Sequence, residues 1–247
     1  MPVSSSVAVV PVLETPAPRV RPFAPAEIAP RRRTARLSLP RALLCDLDGT
    51  LIDSMPTLAE IASEVMESTY GTPRGAAREL YLGTCGVPFA AQLEEIFPGD
   101  PRNPGASARF EAAKPARCGA IQMPAGTQRA LERLRGNGVR IVVSSNNGVA
   151  NVAAFTRNAS FAFDLALGFG GGLAKGRPHF DAVARQFHLT PQEMLFVGDS
   201  LHDGEIAQQA GVPFAAVTTT FSPERFKLRF PEAPVLRRFA SLPELFQ

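Results

Sequence analysis

The stretch Ala42-Leu-Leu-Cys-Asp-Leu-Asp-Gly-Thr-Leu51 decides the fold of this chain. Its first part, Ala42–Leu47, is apolar except for Asp46 and runs into the turn residues Asp48-Gly49, which predicts a short buried strand of a parallel sheet. Asp46 and Asp48 place two carboxylates at the end of this strand, where nearby buried charges need a cation or another partner. The structural alternative is a plain strand-to-turn junction, with Asp48 and Gly49 as turn residues.

Strand and helix signals alternate along most of the remaining chain. Apolar residues at helical spacing predict a helix after the first strand, with Ser54 as its possible N-cap: Leu58, Ile61, Ala62, Val65 and Met66. Further strands are predicted at Val139–Ser144, Met194–Val197 and Phe214–Val217, and further helices at Thr127–Arg135, Val149–Asn158 and Phe180–Phe187. This alternation predicts an α/β fold, a Rossmann-like parallel sheet with helices on both faces.

Residues 56–122 interrupt the alternation between the first two predicted strands. Proline and glycine divide this region into short helical pieces such as Phe89–Phe97 and Ala106–Lys114. We therefore expect an α/β core at residues 41–55 and 123–247, with a small helical domain at residues 56–122 inserted after the first strand.

Residues 1–40 differ in composition from the rest and hold eight of the 23 prolines. Residues 1–41 carry seven arginines and two glutamates, whereas the remainder carries 19 basic and 21 acidic side chains. The net charge of +3 therefore belongs to this leader, and the body offers no basic stripe for nucleic acid. We predict a disordered leader, with an organellar transit peptide as the alternative.

The cysteines and the apolar runs indicate the compartment in which the protein is expected. Cys45, Cys85 and Cys118 are odd in number and lack CxxC spacing, which is typical of reduced thiols rather than of a disulfide framework or zinc site. No apolar run reaches the ~18 residues that a transmembrane helix needs. We expect a cytoplasmic monomer or homodimer that binds neither nucleic acid nor membrane, or an organellar protein if the leader is a transit peptide.

Three more polar motifs follow predicted strands, where open α/β sheets bind their ligands. Ser144-Ser145-Asn146 offers hydroxyl and backbone N–H groups to a phosphoryl oxygen, although such residues are also common in turns. Lys175 stands in a glycine-rich loop, and the preceding Gly170-Gly171-Gly172 lacks GxGxxG spacing, so we interpret it as a flexible loop.

The last motif, Gly198-Asp199-Ser200-Leu201-His202-Asp203, adds two carboxylates four residues apart. Asp203 could alternatively be the N-cap of a helix. Together, the four carboxylates, a hydroxyl and a lysine at one edge of a sheet are typical of a site for a hard cation and a phosphate. Magnesium prefers carboxylate and water oxygens and binds with substrate phosphate, so it is the expected cofactor.

The order DxDGT, strand-Ser-Asn, Lys and GDSxxxD resembles the haloacid dehalogenase-like (HAD) superfamily over residues 41 to about 245. The helical insert resembles the cap of its subfamily I, which includes phosphoglycolate phosphatase-like and β-phosphoglucomutase-like enzymes. The resemblance implies a magnesium-dependent phosphatase that hydrolyses a small organophosphate monoester through an aspartyl-phosphate. It also implies a cap that closes over the site, excludes water and selects the substrate.

The resemblance also implies a role for each motif residue. Asp46 is the expected nucleophile, Asp48 the acid and base, and Lys175 the group that neutralises charge on the nucleophile and the phosphoryl group. Ser145 is expected to bind the transferring phosphoryl group and is preferred to Ser144 because Asn146 follows it directly. The expected phosphate-binding residues are Gly49, Thr50, Ser145, Asn146 and Lys175. The expected magnesium ligands are Asp46, the backbone carbonyl of Asp48, Asp199 and, directly or at one remove, Asp203.

Two other functions remain open on this scaffold, a phosphosugar mutase and a catalytically silent binding protein. Mutases that resemble this family carry a histidine twelve residues after the nucleophile, and this chain has Leu58 there, which favours a hydrolase. Dehalogenases of the superfamily lack the second aspartate, and the phosphonate-cleaving branch has DxAGT, so both are disfavoured. Residues 82–89 resemble the cap loop that faces the site, or form an interhelical turn. The basic residues Arg78, Arg109, Lys114 and Arg117 could meet an anionic substrate, with surface charge as the default interpretation.

Overall fold

A computed structural model describes residues 37–246, so the prediction for the leader lies largely outside the described residues. Six strands form one sheet, with the bounds β1 Ala42–Cys45, β2 Arg140–Gly148, β3 Leu165–Phe169, β4 Met194–Gly198, β5 Phe214–Val217 and β6 Val235–Leu236. They lie in the order β3-β2-β1-β4-β5-β6, and every neighbouring pair is parallel. The predicted Rossmann-like α/β sheet is confirmed.

Nine α-helices are present within residues 37–246: α1 Met55–Tyr70, α2 Arg74–Gly83, α3 Phe89–Ile96, α4 Asn103–Cys118, α5 Ala125–Gly136, α6 Val149–Asn158, α7 Arg177–Phe187, α8 Leu201–Ala210 and α9 Pro223–Arg229. Short 3₁₀ helices lie at Pro191–Glu193 and Phe239–Phe246. None of these helices combines the length and apolarity needed to cross a bilayer.

The strands β1, β4 and β5 are buried on both faces, and their successive side chains, which point in opposite directions, enter two different apolar clusters. In β1, Leu44 belongs to one apolar cluster and Leu43 and Cys45 to the other. The first cluster continues through Phe180 of α7 into the helices that follow β1, and the second packs against α5, α6 and the C-terminal 3₁₀ helix. The sheet is therefore the middle layer of the protein, and its carboxyl edge is free to carry polar groups.

Helices α1 to α4, residues Met55–Cys118, form what we call the helical segment. Its interior is apolar and aromatic: the rings of Phe89 and Phe110 stack with centroids 4.2 Å apart, Tyr81 packs against both, and Leu93 is fully buried. Helix α4 continues through Pro115, whereas the sequence predicted that its helical piece ends at Lys114.

The glycine-rich stretch before Lys175, predicted as a flexible loop, contains a tight turn. Gly170 and Leu173 exchange two backbone hydrogen bonds of 3.0 Å each, which closes a two-residue turn. Gly171 and Gly172 between them both have positive φ, 60° and 83°. Such a turn needs positive φ at both central residues, which glycine adopts readily, so the run is a hairpin turn that follows β3.

Candidate active site

The carboxyl ends of β1, β2 and β4 meet at one edge of the sheet. Cys45 of β1 lies beside Val143 of β2 and Val197 of β4, so the residues that follow these positions are neighbours in space. Asp46 directly follows β1, and Asp199 directly follows β4. This edge lies where the strand order reverses, which is the usual ligand site of an open α/β sheet.

Lys175 joins two of the aspartates at this edge. Its Nζ lies 3.0 Å from Oδ1 of Asp46 and 2.7 Å from Oδ1 of Asp203, and all three side chains are buried. The bond to Asp46 is a well-aligned hydrogen bond, whereas the contact with Asp203 is an ion pair without good hydrogen-bond geometry. Burial alone would lower the pKa of Lys175, but the charges of Asp203 and Asp46 raise it above its ordinary value. The lysine is therefore a permanent cation beside the predicted nucleophile.

Asp46, Asp199 and Asp203 form a buried acidic cluster in which one oxygen of each lies within 4.8 Å of the others. Burial raises the pKa of Asp46 well above its usual range, against the opposing charge of Lys175. Burial, with the charge of Asp203, likewise raises the pKa of Asp199 to about 7. Three carboxylates face a single ammonium group, so the cluster favours a further cation, and its all-oxygen donors suit a hard divalent metal ion.

The hydrogen bond of Asp199 leaves its Oδ1 available to that cation, whereas Oδ1 of Asp203 already faces the ammonium group of Lys175. Oδ2 of Asp203 accepts from the backbone N–H and hydroxyl of Ser200, 3.0 and 2.6 Å away. Ser200 is the N-cap of α8 and Asp203 its third residue, so the alternative that Asp203 is itself the N-cap is wrong. Thr220, which the sequence analysis missed, donates its hydroxyl to Oδ2 of Asp199.

Asp48 lies outside the acidic cluster, and its two carboxylate oxygens have separate donors. Ser54 donates its hydroxyl to Oδ1, and Asn147 donates its amide to Oδ2. Ser54 occupies the N-cap position of α1, as predicted, but its side chain caps no backbone N–H of the helix because its hydroxyl is directed to Asp48. Asn147 was also missed, since a second asparagine after Ser-Asn carries no signal of its own.

The neighbouring serines 144 and 145 point in opposite directions because they are consecutive in β2. Ser144 is fully buried, and its hydroxyl lies 2.9 Å from Nδ1 of His179. Nε2 of His179 lies 3.3 Å from the carbonyl oxygen of Gly168, which can only accept, so Nδ1 accepts the proton of Ser144. Burial lowers the pKa of His179 to about 4, which keeps the ring neutral. Ser145, by contrast, lines the same cavity as Asp46 and Lys175.

Asn146 connects the helical segment with the loop of Lys175. Its Nδ2 donates to the carbonyl oxygen of Gly86, 2.9 Å away, and its Oδ1 accepts from the backbone N–H of Lys175, 3.1 Å away. Because a carbonyl only accepts and an N–H only donates, this amide has one possible orientation. Gly86 has a φ of 106° and packs so closely on Ser200 that a Cβ would overlap it. Residues 85–89 thus face the site, as the sequence resemblance implied.

Gly49 and Thr50 are close to the site but do not line its cavity. The N–H of Gly49 donates to the carbonyl of Ile52 within the turn. Gly49 has a φ of 79°, and a Cβ there would overlap the carboxylate of Asp199, so the position requires glycine. Thr50 is buried, and its hydroxyl has no hydrogen-bond partner within residues 37–246.

The cavity above the cluster has a volume of about 70 Å³. The sheet edge contributes Asp46, Asp48, Ser145, Lys175 and Asp199 to its wall, and the helical segment contributes residues 85–89 and Lys114. The geometry combines the buried carboxylate predicted as nucleophile, an ammonium group paired with it, and a cluster of three carboxylates that could hold a cation, under a cover of helices. Phosphoryl transfer depends on such positioning and charge neutralisation.

A sequence profile of the haloacid dehalogenase-like hydrolase family matches residues 43–217. The chain therefore belongs to this family. The phosphoglycolate phosphatase of Rhodobacter capsulatus is 28% identical over 218 residues, which cover 83% of this chain and 96% of that protein. The phosphoglycolate phosphatase of Yersinia pseudotuberculosis is 30% identical over 225 residues, or 82% and 91% of the two chains.

The fold has solved counterparts in the same family. A haloacid dehalogenase-like hydrolase of Streptococcus pneumoniae superposes with a TM-score of 0.71 at 18% identity, covering 84% of this chain and 98% of that one. This likeness shows the fold. The family match and the phosphatase relatives confirm the predicted class of enzyme, a phosphatase of the HAD-like family.

Proposed function

We propose that the protein hydrolyses a small phosphate monoester with the help of Mg²⁺, through an aspartyl-phosphate on Asp46. In this proposal, residues 41–55 and 123–247 are the catalytic core and residues 56–122 are a cap that covers the site. The observation that carries the proposal is the position of Lys175, whose ammonium group bridges Asp46 and Asp203 beside a buried cluster of three aspartates.

The proposed reaction begins when the free carboxylate oxygen of Asp46 attacks phosphorus and the bond from phosphorus to the ester oxygen breaks. Asp48 gives its proton to the departing alcohol, then takes a proton from water as that water attacks the aspartyl-phosphate. Inorganic phosphate leaves and Asp46 is restored. Asp48 must exchange its contact with Ser54 or Asn147 for the substrate, because both of its oxygens are already hydrogen-bonded.

Ser145 and Lys175 are the proposed contacts of the transferring phosphoryl group, and Asn146 supports the loop of Lys175. Asp46, Asp199, Asp203 and the carbonyl of Asp48 would hold the magnesium ion, which when bound neutralises charge on the phosphoryl oxygens. In this proposal, Gly49 and Thr50 shape the turn after Asp48 and do not contact the phosphoryl group directly. Leu58 is buried in the wall of the cavity and has no titratable group that could donate or accept a proton, which supports hydrolysis over the mutase reaction.

The relatives named phosphoglycolate phosphatase make 2-phosphoglycolate the first compound to test. The purified full-length chain should release inorganic phosphate from it or from other small monoesters in the presence of Mg²⁺. EDTA should abolish the activity, and Ca²⁺ should restore it poorly because calcium takes looser and higher coordination. Activity that persists in chelator with no metal bound would contradict the proposed site.

Assays with hexose monophosphates distinguish phosphate hydrolysis from the phosphosugar mutase reaction. We expect free phosphate without positional isomers, and isomers formed faster than phosphate would overturn the hydrolase while leaving the aspartyl-phosphate intact. A cytoplasmic location remains part of the proposal and is supported by three cysteines that are free thiols.

A further inference from the structure

A second cavity of about 350 Å³ adjoins the first and is five times its volume. It lies between the C-terminal end of α4, the connection at residues 119–122, and α6. Four residues stand in the walls of both cavities: Asp48, Leu58, Lys114 and Asn147. The larger cavity therefore begins at the proposed acid.

The position of Asp48 determines where the organic part of a substrate can go. In the proposed reaction, Asp48 protonates the ester oxygen, so the atoms attached to that oxygen must lie next to Asp48. The first cavity, of about 70 Å³, must also hold the phosphoryl group and so leaves little room for those atoms. The second cavity, of about 350 Å³, offers that room and opens beside the same carboxylate.

The charge around the second cavity is carried by Lys114 at the boundary of the two cavities. Lys114 is 9% exposed, and its Nζ lies 3.0 Å from Glu111 and 5.4 Å from the ring centroid of Phe110. The side chain of Glu111 is 43% exposed. Among the described residues that line the second cavity, Lys114 is the only cation and Asp48 the only acid. Because the ammonium group of Lys114 is already buried and has one half-exposed partner, binding a second anion adds little to the desolvation cost of the lysine.

The rest of the second wall is apolar with a few amides. Ile121, Ala154 and Phe155 supply apolar surface, and Asn151 and Asn158 of α6 supply hydrogen-bonding groups. Such a wall is typical of a small-molecule site, in which apolar surface supplies contact and a few polar groups set the orientation.

We propose that the second cavity is the binding site for the alcohol part of the substrate, and that Lys114 selects an alcohol that carries a carboxylate. The inference rests on the proposed phosphatase function and names its substrate class: phosphate monoesters of carboxylated alcohols larger than a two-carbon acid. Lys114 binds the carboxylate, the apolar wall contacts the carbon skeleton, and Asp48 reaches the ester oxygen between the two cavities.

The charge preference is tested with phenyl phosphate and 4-carboxyphenyl phosphate, which differ by one carboxylate at similar size. In the wild-type protein, kcat/KM should favour the carboxylated ester by about tenfold, mainly through KM. Lys114→Met keeps the length of the side chain but removes the charge, so it should bring the ratio close to one. An unchanged ratio, or equal losses with both esters, would overturn the role of Lys114.

The location is tested by narrowing the cavity from α6. Ala154→Phe should lower kcat/KM for 4-carboxyphenyl phosphate relative to methyl phosphate by at least about tenfold, because the ring would occupy the space of the larger alcohol. Ala150→Phe is the matched control, since Ala150 is exposed on the same helix and lines neither cavity. The same ratio in both variants would overturn the location.

The two proposals can fail separately. A wild-type protein that hydrolyses none of these esters with Mg²⁺ contradicts the phosphatase itself. A wild-type protein that hydrolyses methyl phosphate while neither ratio responds to the two variants contradicts only the second cavity as the alcohol site.

Discussion

The carboxyl edge of the sheet and the helical segment place their charges in opposite ways. At the edge, Asp46, Asp199, Asp203 and Lys175 are buried against one another. In the helical segment, the interior is mainly apolar and aromatic, and ion pairs such as those of Arg74 with Glu60 and Glu67 are half exposed, with the buried Lys114 as the exception. Buried charges are retained at a cost to stability, whereas exposed pairs contribute little. We therefore expect that the sheet edge carries the reacting groups and that the helical segment mainly forms the cover of the site.

The sharpest way to test this contrast is to remove one charge from the edge. Asp46→Asn keeps the shape of the side chain but removes the negative charge that makes it a nucleophile, so kcat should fall by at least about a thousandfold. Asp53→Asn is the matched control because Asp53 is exposed nearby and should keep its activity. Phosphate release and thermal unfolding measure both. Residual activity above about a thousandth of the wild-type rate would contradict the nucleophile.

Two glycines with similar positive φ values allow the effect of a steric overlap to be separated from the effect of backbone strain. Gly49 at the edge and Gly71 at the end of α1 have φ values of 79° and 73°. A Cβ at Gly49 would overlap Asp199, whereas one at Gly71 meets nothing within 4 Å. Both alanine variants should lose about 1 kcal/mol of stability through strain. Only Gly49→Ala should also weaken Mg²⁺ binding, by roughly tenfold to a hundredfold, as titration calorimetry would measure. Equal magnesium affinities would contradict the close fit.

The elements that could be predicted from the sequence are those whose burial leaves a clear apolar pattern. The strands β1, β4 and β5 were found because they are short apolar runs with clear ends, and β5 matches its predicted bounds. β3 and β6 lie at the two edges of the sheet and were missed. β6 is only two residues long, and the apolar run of β3 passes directly into the glycine-rich stretch that was interpreted as a loop. α2 was missed as well, since only Ala77 and Tyr81 of its ten residues are buried.

In the site, the chemistry was predictable and the supporting contacts were not. Paired carboxylates at strand ends have few structural explanations, so the sequence pointed to Asp46, Asp199 and Asp203, which the structure brings together. Thr220 and Asn147 were missed because a threonine or an asparagine in a loop is ordinary, and only the tertiary fold aims them at Asp199 and Asp48. Lys114 had surface charge as its default interpretation, because its burial depends on how α4 packs.

Asn146 joins the two regions, so its loss tests whether they work together. Asn146→Ala removes the bonds to Gly86 and to the N–H of Lys175, and kcat/KM should fall by about tenfold through two lost hydrogen bonds. Asn137→Ala is the control, since Asn137 is exposed at the end of α5. Steady-state kinetics with Mg²⁺ measure the change, and unaltered kinetics would show that residues 85–89 are positioned without this amide.

The smallest effect on chemistry is expected from the interior of the helical segment. Leu93 is fully buried among the aromatic rings of α3 and α4, and Leu93→Ala leaves a cavity there. The free energy of unfolding should fall by about 2–5 kcal/mol, because the surrounding rings can close the cavity only in part. Leu228→Ala is the matched control, since Leu228 is 88% exposed and should change stability by less than about 0.5 kcal/mol.

Chemical denaturation and kinetics on the same samples separate stability from catalysis in this variant. Below its unfolding transition, Leu93→Ala should keep kcat within about threefold of the wild-type value. Leu93 lines neither cavity, and its apolar side chain makes no electrostatic contribution at the sheet edge. A large loss of kcat in fully folded protein would mean that the packing of the helical segment sets the geometry at the edge. The division into a chemical edge and a covering segment would then be wrong.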